Sequence, residues 1–335
     1  MFCEVQDASK SSYHGSMPKT ISLSAEVPEA LEGSRLDQIA AILFPEYSRG
    51  RLQIWIKEGS LRVNDKLHRA RDRLKVGDLL EIDASLAGAE RYVPQEMPLD
   101  IIHDDEACVV LNKNAGTVVH PAAGHGSGTL LNGLLFAFPL LEGLPRAGIV
   151  HRLDKDTTGL MVVAKTLESH ASLVDQLQRR VVAREYEAVV NGVLTGGGVI
   201  DAPLGRHPVN RKKKAVLEGG KDAITHYRVI DRFRSHTHVQ VKLETGRTHQ
   251  IRVHMAHINH CLVGDPLYGG RLRIPVASSL EFSENLRKFK RQALHAKRLS
   301  FKHPITGEVV EWSAEAPTDF KNLLVSLNND KNLTS

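Results

Sequence analysis

Gly148-Ile149-Val150-His151-Arg152-Leu153-Asp154-Lys155-Asp156-Thr157-Thr158-Gly159-Leu160 is a polar loop in an apolar part of this 335-residue chain. Apolar segments at 147–150 and 160–164 flank it, and the second has the length and composition of a strand buried on both faces. Carboxylates between two buried strands need a partner, and Arg152 is near enough in sequence to be one. The alternative is an ordinary polar turn whose charges are solvated.

Composition limits the class of protein and its surroundings. The net charge of +5 favours a polyanionic partner. Cys3, Cys108 and Cys261 are too far apart for a disulfide framework or a Cys-x-x-Cys knuckle, which indicates a reducing, cytoplasmic location. The sequence has no segment of about 18 uncharged apolar residues and no signal pattern, so we expect no membrane association. Residues 1–16 are polar and aperiodic, and we interpret them as a disordered leader.

Residues 17–83 are predicted to form a small domain suited to phosphate contact. A helix capped by Ser34, a second helix capped by Ser48 and strands at 61–63 and 79–82 follow one another. Residues 47–75 contain nine Lys and Arg against three acids, an excess that suits phosphate contact by Arg49, Arg51 and Arg62. A solvated charged face is the alternative for such a run.

Further boundaries follow from composition and periodicity. We interpret 84–97 as a linker, 98–325 as a second domain and 326–335 as a disordered tail. A strand over 182–190 places Tyr186 on an alternating face, and Thr248 is a candidate cap for a helix carrying Ile251 and Met255. Residues 202–214 hold five Lys and Arg and no acid, which predicts a mobile loop whose Lys212, Lys213 and Lys214 meet phosphates.

Several motifs together resemble one enzyme family. His151-Arg152-Leu153-Asp154, followed by Thr157-Thr158-Gly159-Leu160, resembles the signature loop of the RluA-type pseudouridine synthases. The segments 247–252, 264–269 and 294–296 match the same family, and the set is closest to its RluD-type subfamily. Asn114 departs from the family, which usually has proline after the lysine at this turn, and asparagine also suits turns. Residues 35–78 resemble the small RNA-binding domain of the S-four type.

The resemblance implies a fold and a reaction. The fold is α+β: a pseudouridine-synthase domain with a mixed, largely antiparallel sheet flanked by helices, preceded by a small α/β domain of the S-four type. The reaction isomerises specific uridines in large-subunit ribosomal RNA, free or in a precursor particle, to pseudouridine after base flipping. The isomerisation gains and loses no atoms, so no cofactor or metal is expected, and we expect a monomer.

The resemblance also implies roles for individual residues. Asp154 is the catalytic carboxylate, but whether it attacks the sugar, attacks the ring or removes a sugar proton is left open. Tyr186 stacks on the target base and assists removal of the proton from the ring carbon, and Arg152 wedges into the RNA or holds it open as the uridine leaves the helix. Arg252 pairs with Asp154, with Arg247 as the alternative partner. His151, Thr158 and Arg247 are assigned to substrate binding.

Two other classes of function fit parts of the sequence. Asp154 and Asp156 could hold Mg²⁺ in an RNA hydrolase, or His254 and His257 with His260 could bind zinc. Arg152 and Lys155 beside the two aspartates would compete with a metal, and no His-Glu-x-x-His pattern accompanies the histidines. A pure RNA-binding module would need only the basic segments, and it leaves the Asp154 loop unexplained.

Overall fold

The chain divides into two compact units, residues 1–91 and 92–335. The structure, a computed structural model, describes residues 20–45, 47, 49–85, 92–121, 127–270, 272 and 274–332. The predicted leader at 1–16 therefore lies outside the described residues. Residues 92–97, which we predicted to be linker, pack with the second unit, since Gln95 Oε1 accepts the Gly128 N–H and Asn132 Nδ2 donates to Val93 O.

The first unit packs two helices and a small antiparallel sheet within its described residues. Its elements in chain order are β1 (Thr20–Glu26), α1 (Leu36–Leu43), α2 (Arg49–Glu58), β2 (Leu61–Val63) and β3 (Leu79–Ser85). The strands are ordered β1-β3-β2. Apolar side chains at helical spacing, among them Leu36, Ile39, Leu52 and Trp55, form the core. The predicted Ser34 cap is wrong, because Arg35 is the N-cap residue of α1, and Ser48 lies outside the described residues.

The second unit is built on one large sheet, which has nine strands in the part of the chain that is described. Its strand order is β4-β5-β6-β13-β7-β12-β11-β8, with β14 paired to β13. These strands are β4 (Ile101–Asp104), β5 (Cys108–Lys113), β6 (Thr158–Ala164), β7 (Ala183–Asn191), β8 (Gly198–Asp201), β11 (Ile224–Arg232), β12 (His236–Leu243), β13 (Leu294–Lys302) and β14 (Val309–Ser313). A separate hairpin joins β9 (Leu204–Arg206) to β10 (Lys214–Val216).

The helices of the second unit lie between groups of these strands and after the last strand along the chain. They are α3 (Leu130–Ala137), α4 (Leu167–Gln178), α5 (Gln250–His257), α6 (Leu280–Lys288) and α7 (Thr318–Asn332). The sheet pairs are antiparallel except for β6 with β13. This mixed, largely antiparallel sheet with helices confirms the predicted α+β class.

Strand β6 anchors the loop that precedes it. All its residues are buried, as its unbroken apolar run predicts. Gly159 is needed at its start, because φ is +113° and a Cβ atom there would lie 2.3 Å from Ala296 O on β13. The backbones of β6 and β13 can therefore approach closely just after the loop.

Three local predictions in the second unit are wrong, and one is right only in part. Residues 147–150 form no strand; a kinked turn at Pro145–Gly148 is followed by an isolated bridge from Ile149 to Val163. The basic segment is a loop only at 207–213, because Lys214 pairs with Arg206 across the β9–β10 hairpin. The N-cap of α5 is His249 in a left-handed conformation (φ 59°), not Thr248. Residues 326–332 belong to α7, where Leu327 and Asp330 are buried, so this part of the predicted tail is helical.

Candidate active site

The loop at 151–157 is held by the last residue of β5 and by residues just before β13. Lys113, at the end of β5, is 2% exposed and donates to the carbonyl oxygens of Asn114, Thr117 and Lys155. Arg291 Nη1 donates to Asp156 O, and Gln292 Nε2 donates to Thr157 Oγ1. Because these contacts bind the loop from both sides, the loop has one preferred shape before any substrate arrives.

Asp154 lies in this loop next to a buried arginine. Arg252 Nη1 donates to Asp154 Oδ2 at 2.8 Å. The rest of the Arg252 guanidinium is held by Asp265, with Nε 2.7 Å from Oδ2 and Nη2 2.9 Å from Oδ1. The Asp265 side chain has no exposed surface. Asp265 therefore orients Arg252, and Arg252 presents one N–H to Asp154.

The charges of this cluster depend on one another. Burial alone would lower the pKa of Arg252, but the hydrogen bonds and charges of Asp265 and Asp154 raise it above its ordinary value. Burial would raise the pKa of Asp265, and Arg252 with the Leu267 and Tyr268 backbone N–H groups lowers it instead. Burial lowers the pKa of Lys113 to about 8, against the opposing charges of Asp156 and Asp154. The cluster thus keeps a guanidinium beside the Asp154 carboxylate.

Two hydrogen bonds connect the basic hairpin with His249, whose ring lies near Asp154. The Lys214 N–H donates to Tyr268 Oη at 2.8 Å, and Tyr268 Oη lies 2.8 Å from His249 Nδ1. His249 Nε2 is 3.8 Å from Asp154 Oδ1. Burial lowers the pKa of His249, so its ring is neutral at pH 7 and can accept the Tyr268 hydroxyl hydrogen. The hairpin backbone is thereby tied to the same cluster.

A cleft of about 610 Å³ opens over Asp154 and contains Tyr186. Tyr186 is on β7, 6% exposed, and lines the cleft together with Arg252 and His249. Burial raises the pKa of Tyr186, so its phenol remains protonated at neutral pH. A carboxylate, a guanidinium and an aromatic ring therefore share one cleft that is large enough for a nucleotide.

Other predicted substrate-binding residues differ in where they lie. Arg152 is exposed and lines the cleft. Arg247 also lines the cleft, but its Nε donates to Asp222 O, so the described contact with Asp154 is made by Arg252. His151 Nε2 accepts the Val162 N–H, which uses this ring nitrogen to hold the loop on β6. Thr158 does not line the cleft; its hydroxyl is 2.9 Å from His295 Nδ1.

Some of the residues predicted to contact phosphate instead make hydrogen bonds within the protein. Arg49 Nη2 donates to the buried Asp37 at 2.7 Å, and Arg62 Nε donates to Gly59 O. Arg51 lies on α2 and is half-buried. In the hairpin, Lys212 is exposed, Lys213 Nζ lies 5.7 Å from the centre of the Tyr268 ring, and Lys214 is half-buried.

The metal alternatives find little support in the described residues. His254 uses both ring nitrogens, toward Thr225 Oγ1 and Ala202 O, and no cluster of three potential ligands among these residues includes it. The cluster that does occur there, His103 with Asp105 and Cys108, does not line the cleft. Asp154, the other candidate ligand, is bound by Arg252, which would repel a cation.

Sequence reasoning missed several residues of this site. Asp265, Lys113, His249 and Tyr268 were not assigned roles, although 264–269 was recognised as a motif. A lysine at the end of a buried strand, such as Lys113, was the one signal available from the pattern alone. The contacts of Asp265 and Tyr268 join segments far apart in sequence, so nothing local indicates them.

Comparison with known proteins identifies the family. The sequence model of the RNA pseudouridylate synthase family matches residues 107–257. The chain is 57% identical to ribosomal large subunit pseudouridine synthase D of Pseudomonas aeruginosa over 315 residues, which cover 94% of this chain and 98% of that protein. It is 50% identical to the protein of the same name from Escherichia coli K12, covering 94% of this chain and 97% of that one.

Solved structures agree with the sequence relatives. Human RNA pseudouridylate synthase domain containing 4 superposes with a TM-score of 0.54 at 26% identity, covering 68% of this chain and 93% of that chain. Human RNA pseudouridylate synthase domain containing 1 gives a TM-score of 0.52 at 25% identity, covering 66% of this chain and 84% of that chain. The predicted pseudouridine-synthase fold is therefore confirmed.

The chain belongs to the RNA pseudouridylate synthase family and is an isomerase that acts on RNA. Within that family it is of the RluA type, and the relatives named synthase D, which match nearly its whole length, group it with the RluD-type members. The predicted family and enzyme class are confirmed.

Proposed function

We propose that this chain isomerises specific uridines of large-subunit ribosomal RNA to pseudouridine, with Asp154 as the reacting carboxylate. The substrate class is supported by the relatives named ribosomal large subunit pseudouridine synthase D. The observation that carries the mechanism is the buried Asp265–Arg252–Asp154 series in a cleft with Tyr186. An RNA substrate favours a cytoplasmic location, and we propose a monomer that acts on free RNA or on a precursor particle.

The reaction breaks the bond from the anomeric carbon to uracil N1 and rejoins the base through C5, from which a proton leaves. Arg252 Nη1 lies 2.8 Å from Asp154 Oδ2 and places a positive charge beside the reacting carboxylate. Asp154 then attacks the sugar, attacks the ring or removes a sugar proton; the proposal requires only that the carboxylate be charged. The proton lost from C5 is matched by a proton gained at N1, so atoms balance within the nucleotide. Asp154 acts as nucleophile or base, and the other residues act by positioning and charge.

Two further side chains handle the base and the helix. The uridine must leave its stack to reach Asp154. Tyr186 stacks on the flipped base, and the raised pKa of its phenol suits stacking better than proton removal by a phenolate. Arg152, exposed beside the cleft, occupies the space that the base vacates in the RNA.

Mapping pseudouridines across large-subunit ribosomal RNA, in cells with and without this protein, tests the function. Specific sites should lose pseudouridine without the protein, and wild type but not Asp154→Asn should restore them. An unchanged map would refute the substrate class. With purified protein, Asp154→Asn should retain folding and RNA affinity, and turnover above a few per cent of wild type would refute the role of Asp154.

Asp156→Asn is a matched control two residues away. We expect it to retain most of the activity, because Asp156 does not line the cleft and accepts the Arg291 hydrogen bond through its backbone oxygen. A metal-dependent hydrolase that uses both aspartates would lose activity in both variants and would cleave RNA in a Mg²⁺-dependent way. A pure RNA-binding module would leave the pseudouridine map unchanged.

A further inference from the structure

Arg184 is a buried arginine for which the described part of the chain supplies no partner. The residue is 8% exposed, and its Nε has no hydrogen-bond acceptor. Other buried arginines of the same unit are paired: Arg252 with Asp265 and Asp154, and Arg291 with Asp319. Burying a guanidinium is costly unless an acceptor or an anion meets it. We therefore expect Arg184 to bind an acceptor or anion that the described part of the chain does not supply.

The guanidinium of Arg184 lies in the wall of the cleft. Arg184 precedes Tyr186 by two residues on β7, so both side chains are on the same face of the sheet, and both line the cleft. A Cβ atom on Gly246, in the opposite loop, would lie 2.5 Å from Arg184 Nη1. The absence of a side chain at Gly246 thus leaves room for the guanidinium beside the place of the target base.

The cleft around Arg184 has an excess of positive charge. Its lining includes Arg146, Arg152, Arg180, Arg184, Arg247 and Arg252. The acids of the lining are Asp154 and Glu244, and both are already engaged, with Arg252 and with His226. Such a surface attracts a polyanion.

We infer that Arg184 binds a backbone phosphate of the RNA next to the target uridine. A phosphodiester neutralises the buried charge, whereas a uracil carbonyl oxygen would accept a hydrogen bond and leave the charge uncompensated. The planar fork of arginine also fits two phosphate oxygens. The inference rests on the proposed function, since it assumes that an RNA strand enters this cleft.

Arg184→Gln tests this contact in single-turnover assays on a synthetic RNA that contains a mapped target uridine. Losing a charge-assisted contact should raise the RNA concentration for half-maximal rate about 10- to 100-fold. The slope of log affinity against log salt should flatten by a little under one unit. Arg179→Gln is the control, because Arg179 is an arginine outside the cleft lining with a side chain 71% exposed. It should change neither quantity comparably.

Neutral methylphosphonates at the phosphates on either side of the target uridine identify the ligand. Wild type should lose affinity about 10-fold or more with one of them, and Arg184→Gln should be indifferent to the same replacement. If both replacements leave wild type unaffected, or if they weaken wild type and Arg184→Gln equally, the inference is wrong. A lower saturating rate in Arg184→Gln with no methylphosphonate effect would assign Arg184 to the base instead and overturn it.

Gly246→Ala provides a second variant if Arg184→Gln does not fold. Its methyl group should displace the flexible end of Arg184 and leave the loop intact, so it should reproduce the weaker binding. Normal methylphosphonate sensitivity in Gly246→Ala and a normal salt slope would contradict the inference. If wild type converts no uridine, the proposed function fails, and the salt slope of RNA binding still tests Arg184 separately.

Discussion

Replacing Asp265 by asparagine tests whether this residue positions Arg252. Asp265 accepts Arg252 Nε at 2.7 Å and Nη2 at 2.9 Å, and also the N–H groups of Leu267 at 2.8 Å and Tyr268 at 2.9 Å. Asparagine retains the shape and one oxygen. Its amide nitrogen, however, removes the charge and presents a donor where an acceptor is needed. The guanidinium must then rotate, and its Nη1 contact with Asp154 changes.

The expected loss follows from the burial of the pair. Removing one member of a buried ion pair costs about 3–5 kcal/mol of the free energy of unfolding. A displacement of about 1 Å at a catalytic group lowers turnover about 100-fold, which corresponds to about 3 kcal/mol in the barrier. We therefore expect Asp265→Asn to lower the melting temperature and, in the folded fraction, to lower the saturating rate more than RNA affinity.

Single-turnover rates at saturating RNA, measured beside thermal unfolding, separate positioning from stability. Asp330→Asn is the control, since Asp330 is a buried aspartate paired with Arg234 at 3.1 Å and does not line the cleft. It should lose stability and retain the rate. If Asp265 acts through Arg252, adding Arg252→Lys to Asp265→Asn should lower the rate little further. The coupling energy between the two substitutions should then exceed about 1 kcal/mol. Additive effects, or a rate within about threefold of wild type, would refute the reasoning.

Three further outcomes are expected. Replacing Lys212–Lys214 by alanine should weaken binding to target and other RNA equally and flatten the salt slope by about one to three units, whereas an unchanged slope would mean a merely solvated face. Burial and the charge of Arg184 lower the pKa of His151 to about 3. His151 therefore becomes protonated in the unfolded chain at a higher pH than in the folded chain, and the free energy of unfolding falls as the pH drops below about 6.5. Between pH 7 and pH 5, the free energy of unfolding measured by chemical denaturation should fall by about 1–2 kcal/mol less in His151→Gln than in wild type. Identical pH profiles for the two proteins would contradict this. We propose that the first unit provides RNA affinity and targeting, so removing residues 1–91 should raise the RNA concentration for half-maximal rate and spare the saturating rate; equal efficiency at low RNA would refute it.

Local periodicity was sufficient to predict the elements that present the site. Strand β6 is an unbroken apolar run, and β7 alternates around Tyr186, so both follow from short-range pattern. Helix caps were less predictable: Ser34 suits an N-cap by residue type, but Arg35 occupies that position, where its guanidinium reaches the buried Asp37. This contact joins residues two apart in the chain, so the start of α1 departs from the preference of residue type at an N-cap.

The cluster around Asp154 could be predicted only in part. The family resemblance pointed to Arg252, with Arg247 as the alternative, and the geometry brings Arg252 to Asp154. The pairing of Arg252 with the buried Asp265 and the lack of an acceptor for Arg184 Nε could not be predicted, because both depend on the interior of the folded unit. No spacing rule relates such positions, because burial and charge pairing arise only once distant strands have packed.

The place of β13 in the sheet has a consequence for the order in which the enzyme matures. Strands β6 and β7 follow each other in the chain but are not neighbours, since β13 lies between them. Asp154 precedes β6, whereas Tyr186 is on β7 and Arg252 follows β12. A nascent chain that has not yet passed residue 302 lacks the strand that joins these two halves. Catalytic competence should therefore appear only after β13 has been synthesised and has paired with both β6 and β7.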